Sequence, residues 1–246
     1  MGPLPELTPR EECPICFLML SNNPQLSKYF ACCGKNICGG CELHYQMKSK
    51  KSTCPFCRTA FPKSKKASLV YLRKRVELKD PAAMYNMAMA HGHGKGGLPV
   101  DQARCIELLQ YSAGLGYPRA NYQLGAYHHA DLMGLERNGD QAFEYWEEAA
   151  KGGDVRARHN LALFVGPGNA VTAMRHWRLA ASAGDRLAMD HIIVNCFEGG
   201  FLRHGDLAEI LQVMYRSRAE TRSEDRDLYI MDLKMKAKYD ESHDDY

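Results

Sequence analysis

Eight of the ten cysteines in this 246-residue chain fall between positions 13 and 57. They form four pairs: Cys13-x2-Cys16, Cys32-Cys33, Cys38-x2-Cys41 and Cys54-x2-Cys57. Three of the pairs are CxxC, a spacing at which a tight turn aims two thiolates at one ion, as zinc requires with Zn–S near ~2.3 Å. Four pairs supply enough thiolates for two closed sites of four ligands each. A closed tetrahedral site leaves no position for water or substrate, so such zinc ions hold a fold together and perform no reaction. A segment this short cannot bury enough apolar surface to fold unaided, and bound metal supplies the missing stability. The competing explanation, thiols buried with no metal, accounts poorly for three CxxC pairs so close together. A disulfide framework is not expected either. Met1 to Glu12 lacks the apolar core of a signal peptide, and thiols of the cytosol stay reduced.

The residues around these pairs narrow the reading. Cys-Pro-Ile-Cys at 13–16, Cys-Gly-Lys-Asn-Ile-Cys-Gly-Gly-Cys at 33–41 and Cys-Pro-Phe-Cys-Arg at 54–58 resemble a RING finger of the all-cysteine kind. Lys35 stands where the usual RING has a histidine. The resemblance implies a small zinc-stabilised α+β domain over 13–58 with two structural Zn2+ ions in a cross-brace. By it, Cys13, Cys16, Cys38 and Cys41 hold the first ion, and Cys32, Cys33, Cys54 and Cys57 the second. The adjacency of Cys32 and Cys33 departs from the family pattern and strains the second site. His44 is an alternative ligand, though it reads better as a polar helix residue. A zinc ribbon and a FYVE-like finger are the rival metal folds. The same resemblance implies docking of a ubiquitin-conjugating enzyme (E2) and promotion of ubiquitin transfer by orientation, with no covalent catalytic residue. Ile15 and Pro55 match the family's two E2-docking positions, and both could instead pack around zinc. Arg58 matches the arginine that bridges E2 and ubiquitin. It has no evident packing role, and its planar fork of donors suits that bridge.

These residues need elements to hold them. Hydrophobic residues at 45% and charged residues at 25% exclude wholesale disorder. The net charge of +3 is too small to imply a nucleic-acid partner. No apolar run reaches the ~18 residues of a membrane span. Gly2-Pro3, with Glu6 at the selective position, does not read as a myristoylation signal. The expected compartment is therefore the cytoplasm or nucleus, with no membrane association. Between Lys48 and Lys79 lie eleven Lys or Arg against one acid, Glu77. That stretch could attract anions or, through Lys63, Lys65 and Lys66, serve as a nuclear signal. Without interleaved aromatics it reads as a solvated linker, and nucleic-acid binding is not expected. Leu69, Leu72 and Val76 recur at helical spacing, which predicts a helix over 67–79.

Beyond position 79 the sequence repeats. Ser112-Ala113-x2-Gly116-x3-Ala120 returns as Ala149-Ala150-x2-Gly153-x3-Ala157 and again as Ala180-Ala181-x2-Gly184-x3-Ala188. Ala83 is the equivalent alanine of a preceding unit that begins near Asp80, and Met87, Leu124, Leu161 and Ile192 follow the four alanines at +4. Cys105, Ala142 and Ala173 are equivalent in the second helix of each unit, as are Leu109, Trp146 and Trp177. A fixed period with two helices per unit is an α-solenoid, with each Gly ending a helix in a left-handed conformation. The third unit is shorter, with its loss at Gly166-Pro167-Gly168-Asn169. Gly-Leu-Pro-Val-Asp at 97–101 and Gly-Asp-x-Ala at 139–142 complete a resemblance to Sel1-like repeats, relatives of the tetratricopeptide repeat.

The expected organisation is an N-terminal tail (1–12), the finger (13–58), a basic linker and helix (59–79), about four Sel1-like units (80–220) and a charged tail (221–246). His91-Gly92-His93-Gly94 reads as a loop, His128 and His129 as surface residues, and Cys105 and Cys196 as small buried hydrophobes. Tyr85, Tyr122 and His159 are equivalent and are candidate partner contacts or packing residues. The leading expectation is a RING-type E3 ubiquitin ligase whose repeats bind a protein substrate or adaptor. The alternative is a non-enzymatic zinc-binding scaffold.

Overall fold

A computed structural model describes residues 11–21, 23–49, 51–166, 169–200 and 202–241. Most of the expected N-terminal tail, the Pro167-Gly168 turn and residues 242–246 lie outside the described residues. The chain forms two compact units, one of residues 62–218 and one of residues 11–61 with 219–241.

In the smaller unit, β1 (Ser27–Phe30) and β2 (Lys35–Cys38) form an antiparallel hairpin with Ser27 opposite Cys38 and Phe30 opposite Lys35. Helix α1 (Gly39–Ser49) follows β2 directly. The buried apolar cluster comprises Cys13, Leu20, Phe30, Ile37, Cys38 and Cys54, with Phe61 stacked on Phe30 at 5.9 Å between ring centres. Half of that cluster is cysteine, so conventional hydrophobic burial alone provides little stability. Glu42 is buried on α1 and is matched by Lys28, whose Nζ donates to it at 2.6 Å.

The larger unit is all-helical: α2 (Lys65–Glu77), α3 (Pro81–Gly92), α4 (Gln102–Gly114), α5 (Pro118–Ala130), α6 (Gly139–Lys151), α7 (Val155–Val165), α8 (Ala170–Ser182), α9 (Arg186–His191), a π-helical turn (Ile192–Phe197) and α10 (His204–Ala219). The repeat is visible as chemistry at its joints. Asp101, Asn138 and Asn169 cap the second helix of successive units, their side chains accepting from the backbone N–H of Arg104, Gln141 and Thr172. Gly116, Gly153 and Gly184 end those helices at φ +79°, +89° and +92°, where a side chain would be strained. Asp80, Asp154 and Asp185 cap the helices that follow. At the equivalent position Tyr117 makes no side-chain cap, and Pro118 in the first turn fixes the helical start instead.

The equivalent positions are also the packed ones. Ala83, Ala120, Ala157 and Ala188 are completely buried, as are Leu124, Leu161 and Ile192 at +4. Leu109, Trp146 and Trp177 fill the spaces between them. Close approach depends on small residues here. A Cβ placed on Gly125 of α5 would meet the Trp146 ring of α6 at 2.6 Å. Helix α2 begins at a Ser64 cap and adds Leu69, Leu72 and Val76 to the core of the first repeat.

Some expectations change. The helix ahead of the repeats starts two residues earlier than the spacing suggests. His91 and Gly92 belong to α3 rather than to a loop. His128 is buried, stacked on Tyr145 at 5.7 Å, because the next helix covers that face; His129 remains exposed. Past α9 the regular pattern gives way to the π-helical turn, which shifts the helical register before α10. Among the described residues no helix is long and apolar enough to cross a membrane.

The only two tryptophans of the chain, Trp146 and Trp177, both sit in the solenoid, so their fluorescence reports its unfolding. Trp146→Ala is expected to cost ~3–5 kcal/mol in a denaturant titration followed this way, and Gly125→Ala is expected to lower the midpoint through the clash just described. Burial, then Arg158 and Arg175 nearby, push the half-buried His176 down to about 4. The unfolded chain therefore takes up a proton near pH 6.5 that the fold refuses until about pH 4, and solenoid stability falls as the pH drops through that window. Unfolding midpoints between pH 7 and 4 should decline less steeply in His176→Gln than in the parent.

Candidate metal centre

The two CxxC segments at the ends of the finger are built alike. In the first, the Phe17 N–H donates to the Cys13 carbonyl at 2.9 Å, Cys13 N–H to Leu18 O at 3.0 Å, and Leu20 N–H to Glu11 O at 2.7 Å. In the second, Arg58 N–H donates to Cys54 O at 3.0 Å, Cys54 N–H to Thr59 O at 2.8 Å, and Phe61 N–H to Ser52 O at 2.9 Å. Phe17 and Arg58, just after each second cysteine, both take left-handed backbone at φ +59° and +63°. Each hairpin thus folds back tightly enough to turn both of its thiols to one side.

The remaining four cysteines sit on the hairpin and helix. Cys32 and Cys33 occupy the turn between β1 and β2, which Gly34 closes at φ +71°. Cys38 ends β2, and Cys41 lies in the first turn of α1, its N–H donating to the Cys38 Sγ at 3.4 Å. The pairs then cross. The Sγ atoms of Cys13, Cys16, Cys38 and Cys41 lie within 4.8 Å of one another, and so do those of Cys32, Cys33, Cys54 and Cys57. The first pair of the sequence meets the third, and the second meets the fourth. His44 joins neither group and instead pairs with Asp225 at 2.9 Å.

The geometry suits a tetrahedral thiolate shell. Four sulfurs at ~2.3 Å from one ion stand about 3.8 Å apart. Cys16 and Cys38 are 3.9 Å apart, Cys33 and Cys54 3.9 Å, and Cys32 and Cys57 3.5 Å. All eight are free thiols. Their electrostatics are mutually frustrated without a cation. In the first group, hydrogen bonds from Cys38 and Cys41 hold Cys13 far below the ordinary thiol range, while bonds to Cys13 and Cys38 drive Cys41 far above it. In the second, burial and then the charge of Cys54 push Cys33 up to about 11. Against the upward effect of its own burial, Cys57 comes down to about 6 through contacts with Thr59 and Cys32. One thiolate forms at its neighbours' expense, and a divalent ion lets all four ionise together. Each group can therefore hold one metal ion, and all-sulfur ligation suits zinc.

The other sequence-predicted positions lie around these groups. Ile15 is half-buried against the finger core, and Pro55 is buried. Arg58 is exposed, yet it does have a packing role: its guanidinium lies over the Tyr45 ring at 4.6 Å, and Tyr45 Oη bonds Thr53 Oγ1 at 2.5 Å. In the solenoid, Tyr85 packs on Tyr117 at 5.7 Å, Arg156 lies over Tyr122 at 4.0 Å, and His159 faces His191 at 5.0 Å. Residues from 221 on, expected as a charged tail, carry helix α11 (Glu224–Glu241), which packs on α1. Arg226 of that helix is buried beside the first thiol group. Sequence reasoning missed it, although the helix-weakening Gly39-Gly40 between two cysteines was a visible sign that another backbone comes close.

Purified protein is expected to carry two zinc ions per chain by elemental analysis. Cys38→Ser and Cys54→Ser should each lose one, and chelation should unfold the finger while leaving tryptophan fluorescence near native.

Comparison with known proteins resolves the larger unit. The Sel1 repeat family matches residues 81–117, 118–154 and 155–185, and the finger lies outside the matched residues. A Sel1 repeat protein from Oxalobacter formigenes is 22% identical, with a TM-score of 0.55 over 73% of this chain and 71% of that one. A protective antigen present in uropathogenic Escherichia coli strains, described as displaying an SLR fold, is 18% identical, with a TM-score of 0.55 over 76% of this chain and 38% of its own length. At these identities the likeness shows the fold alone. No curated protein sequence matches the chain. With the helix caps, left-handed glycines and buried alanines falling at the same spacing, residues 81–185 are three Sel1 repeats in an all-helical solenoid.

Proposed function

We propose that the finger is a RING-type domain with two structural zinc ions and that the protein is an E3 ubiquitin ligase, its repeats binding a protein substrate or adaptor. The observation that carries this reading is the crossing of the thiol groups, first pair with third and second with fourth. A zinc ribbon would bring sequential pairs together, whereas the RING cross-brace interleaves them. In this reading Cys13, Cys16, Cys38 and Cys41 hold one ion and Cys32, Cys33, Cys54 and Cys57 the other. The ions would fix the two CxxC loops, which carry Ile15 and Pro55, in place to dock an E2. Arg58 would bridge E2 and ubiquitin and restrain the conjugate in a reactive geometry. The solenoid would act by protein–protein interaction through its repeated side-chain rows.

The second reading is a zinc-dependent scaffold without ligase activity. Two features favour it: Pro55 is buried, and the Arg58 guanidinium already rests on Tyr45. An E2 would have to draw Arg58 off that ring.

Auto-ubiquitination with a panel of E2 enzymes separates the two readings. The ligase reading expects a ubiquitin ladder that Ile15→Ala and Arg58→Ala each slow by roughly 10–100-fold, with zinc content unchanged. Folded, zinc-loaded protein that yields no ladder with any E2 supports the scaffold.

A further inference from the structure

Arg226 is only 7% exposed. A buried guanidinium needs hydrogen-bond acceptors and an opposing charge, or its desolvation goes uncompensated. The acceptors are present: Nη1 donates to Met19 O at 2.6 Å and Thr221 O at 2.7 Å, and Nη2 to Leu18 O at 3.2 Å and Cys16 Sγ at 3.5 Å. Three of these are neutral carbonyls. The acids beside Arg226 on α11 are engaged elsewhere, Asp225 on His44 and Asp227 on Arg222. The remaining acceptor is the sulfur of Cys16 in the first thiol group. Four thiolates around one divalent ion carry a net charge of −2, which opposes this cation; among the described residues no carboxylate is paired with it.

The backbone is shaped for the approach. A Cβ on Gly40 would meet the Arg226 backbone nitrogen at 2.7 Å, and one on Gly39 would overlap the Tyr229 ring. Only a glycine pair at the start of α1 lets α11 come this near.

We propose that Arg226 is a positioning residue for the first metal site: α11 brings in a guanidinium that hydrogen-bonds the Cys16 ligand, holds the Leu18–Met19 backbone beneath it and offsets the charge of the four-thiolate centre. The finger is then a split domain, completed by residues some two hundred positions downstream. This rests on the metal-binding reading of the finger and is independent of ligase activity. Partners of this kind around a metal typically alter its affinity 10–100-fold. Among the described residues Arg226 meets thiols of the first group and not of the second, so the second site serves as an internal control.

The test uses full-length protein loaded with 113Cd2+, in which each four-sulfur site gives its own NMR resonance. Two resonances are expected from the parent. Arg226→Met should shift one and leave the other in place, and transfer of metal from that site to a chelator should quicken roughly 10–100-fold. Arg226→Lys, which keeps the charge but loses the fork, should shift the same resonance and restore part of the retention. If Arg226→Met does not fold, Arg226→Lys alone decides by whether one resonance moves. Both resonances unmoved, or both sites losing metal equally faster, overturns the proposal. A parent that binds fewer than two ions overturns the metal reading and this proposal with it.

Discussion

Like charges confined to a small volume dominate the N-terminal unit. Two sets of four thiols, each within 4.8 Å, cannot ionise together unless a cation sits among them. The surrounding fold follows from bringing those sulfurs in. Two near-identical reverse turns deliver two thiols each, the β-hairpin brings Cys32, Cys33 and Cys38, and the first turn of α1 brings Cys41; the apolar cluster behind them is half cysteine. Take away the reason for the sulfurs to converge, and little else in the finger would hold it closed.

The solenoid is organised by the opposite principle. Its stability comes from contacts between consecutive helices, each secured by a small residue at a fixed place. Alanine at four equivalent positions and Gly125 against Trp146 let helix axes approach until large side chains fill the gaps. Aspartate and asparagine caps together with left-handed glycines set where each helix starts and stops. The geometry is therefore propagated locally, and an irregularity such as Tyr117 in place of an acid is absorbed by Pro118 without disturbing the repeats on either side.

Local rules were the ones legible in the sequence. The CxxC spacing, the glycines at 116, 153 and 184 and the alanine register can all be read from neighbours along the chain, and they led to the cysteine clusters and the solenoid. What escaped depends on distant partners. Nothing near position 128 signals that the following helix buries His128 under Tyr145, and nothing in the Arg58 neighbourhood signals the Tyr45 ring. Helix α11 escaped for the same reason. Its residues are strongly charged with no marked apolar stripe, so its docking rests on Arg226, Tyr229, the pair between Asp225 and His44 and the space left by two glycines. The register shift after α9 was equally hidden, because a π-helical turn leaves no periodic mark.

The distance along the chain between the finger and α11 has a consequence for how the protein is made. During synthesis the segment to Phe61 leaves the ribosome early, while α11 follows roughly 160 residues later, a delay of roughly 10–40 s at ordinary elongation rates. Throughout that interval the nascent finger presents the bare glycine face of α1 and lacks its helical cover. That exposed face therefore marks a chain in which α11 has not yet docked.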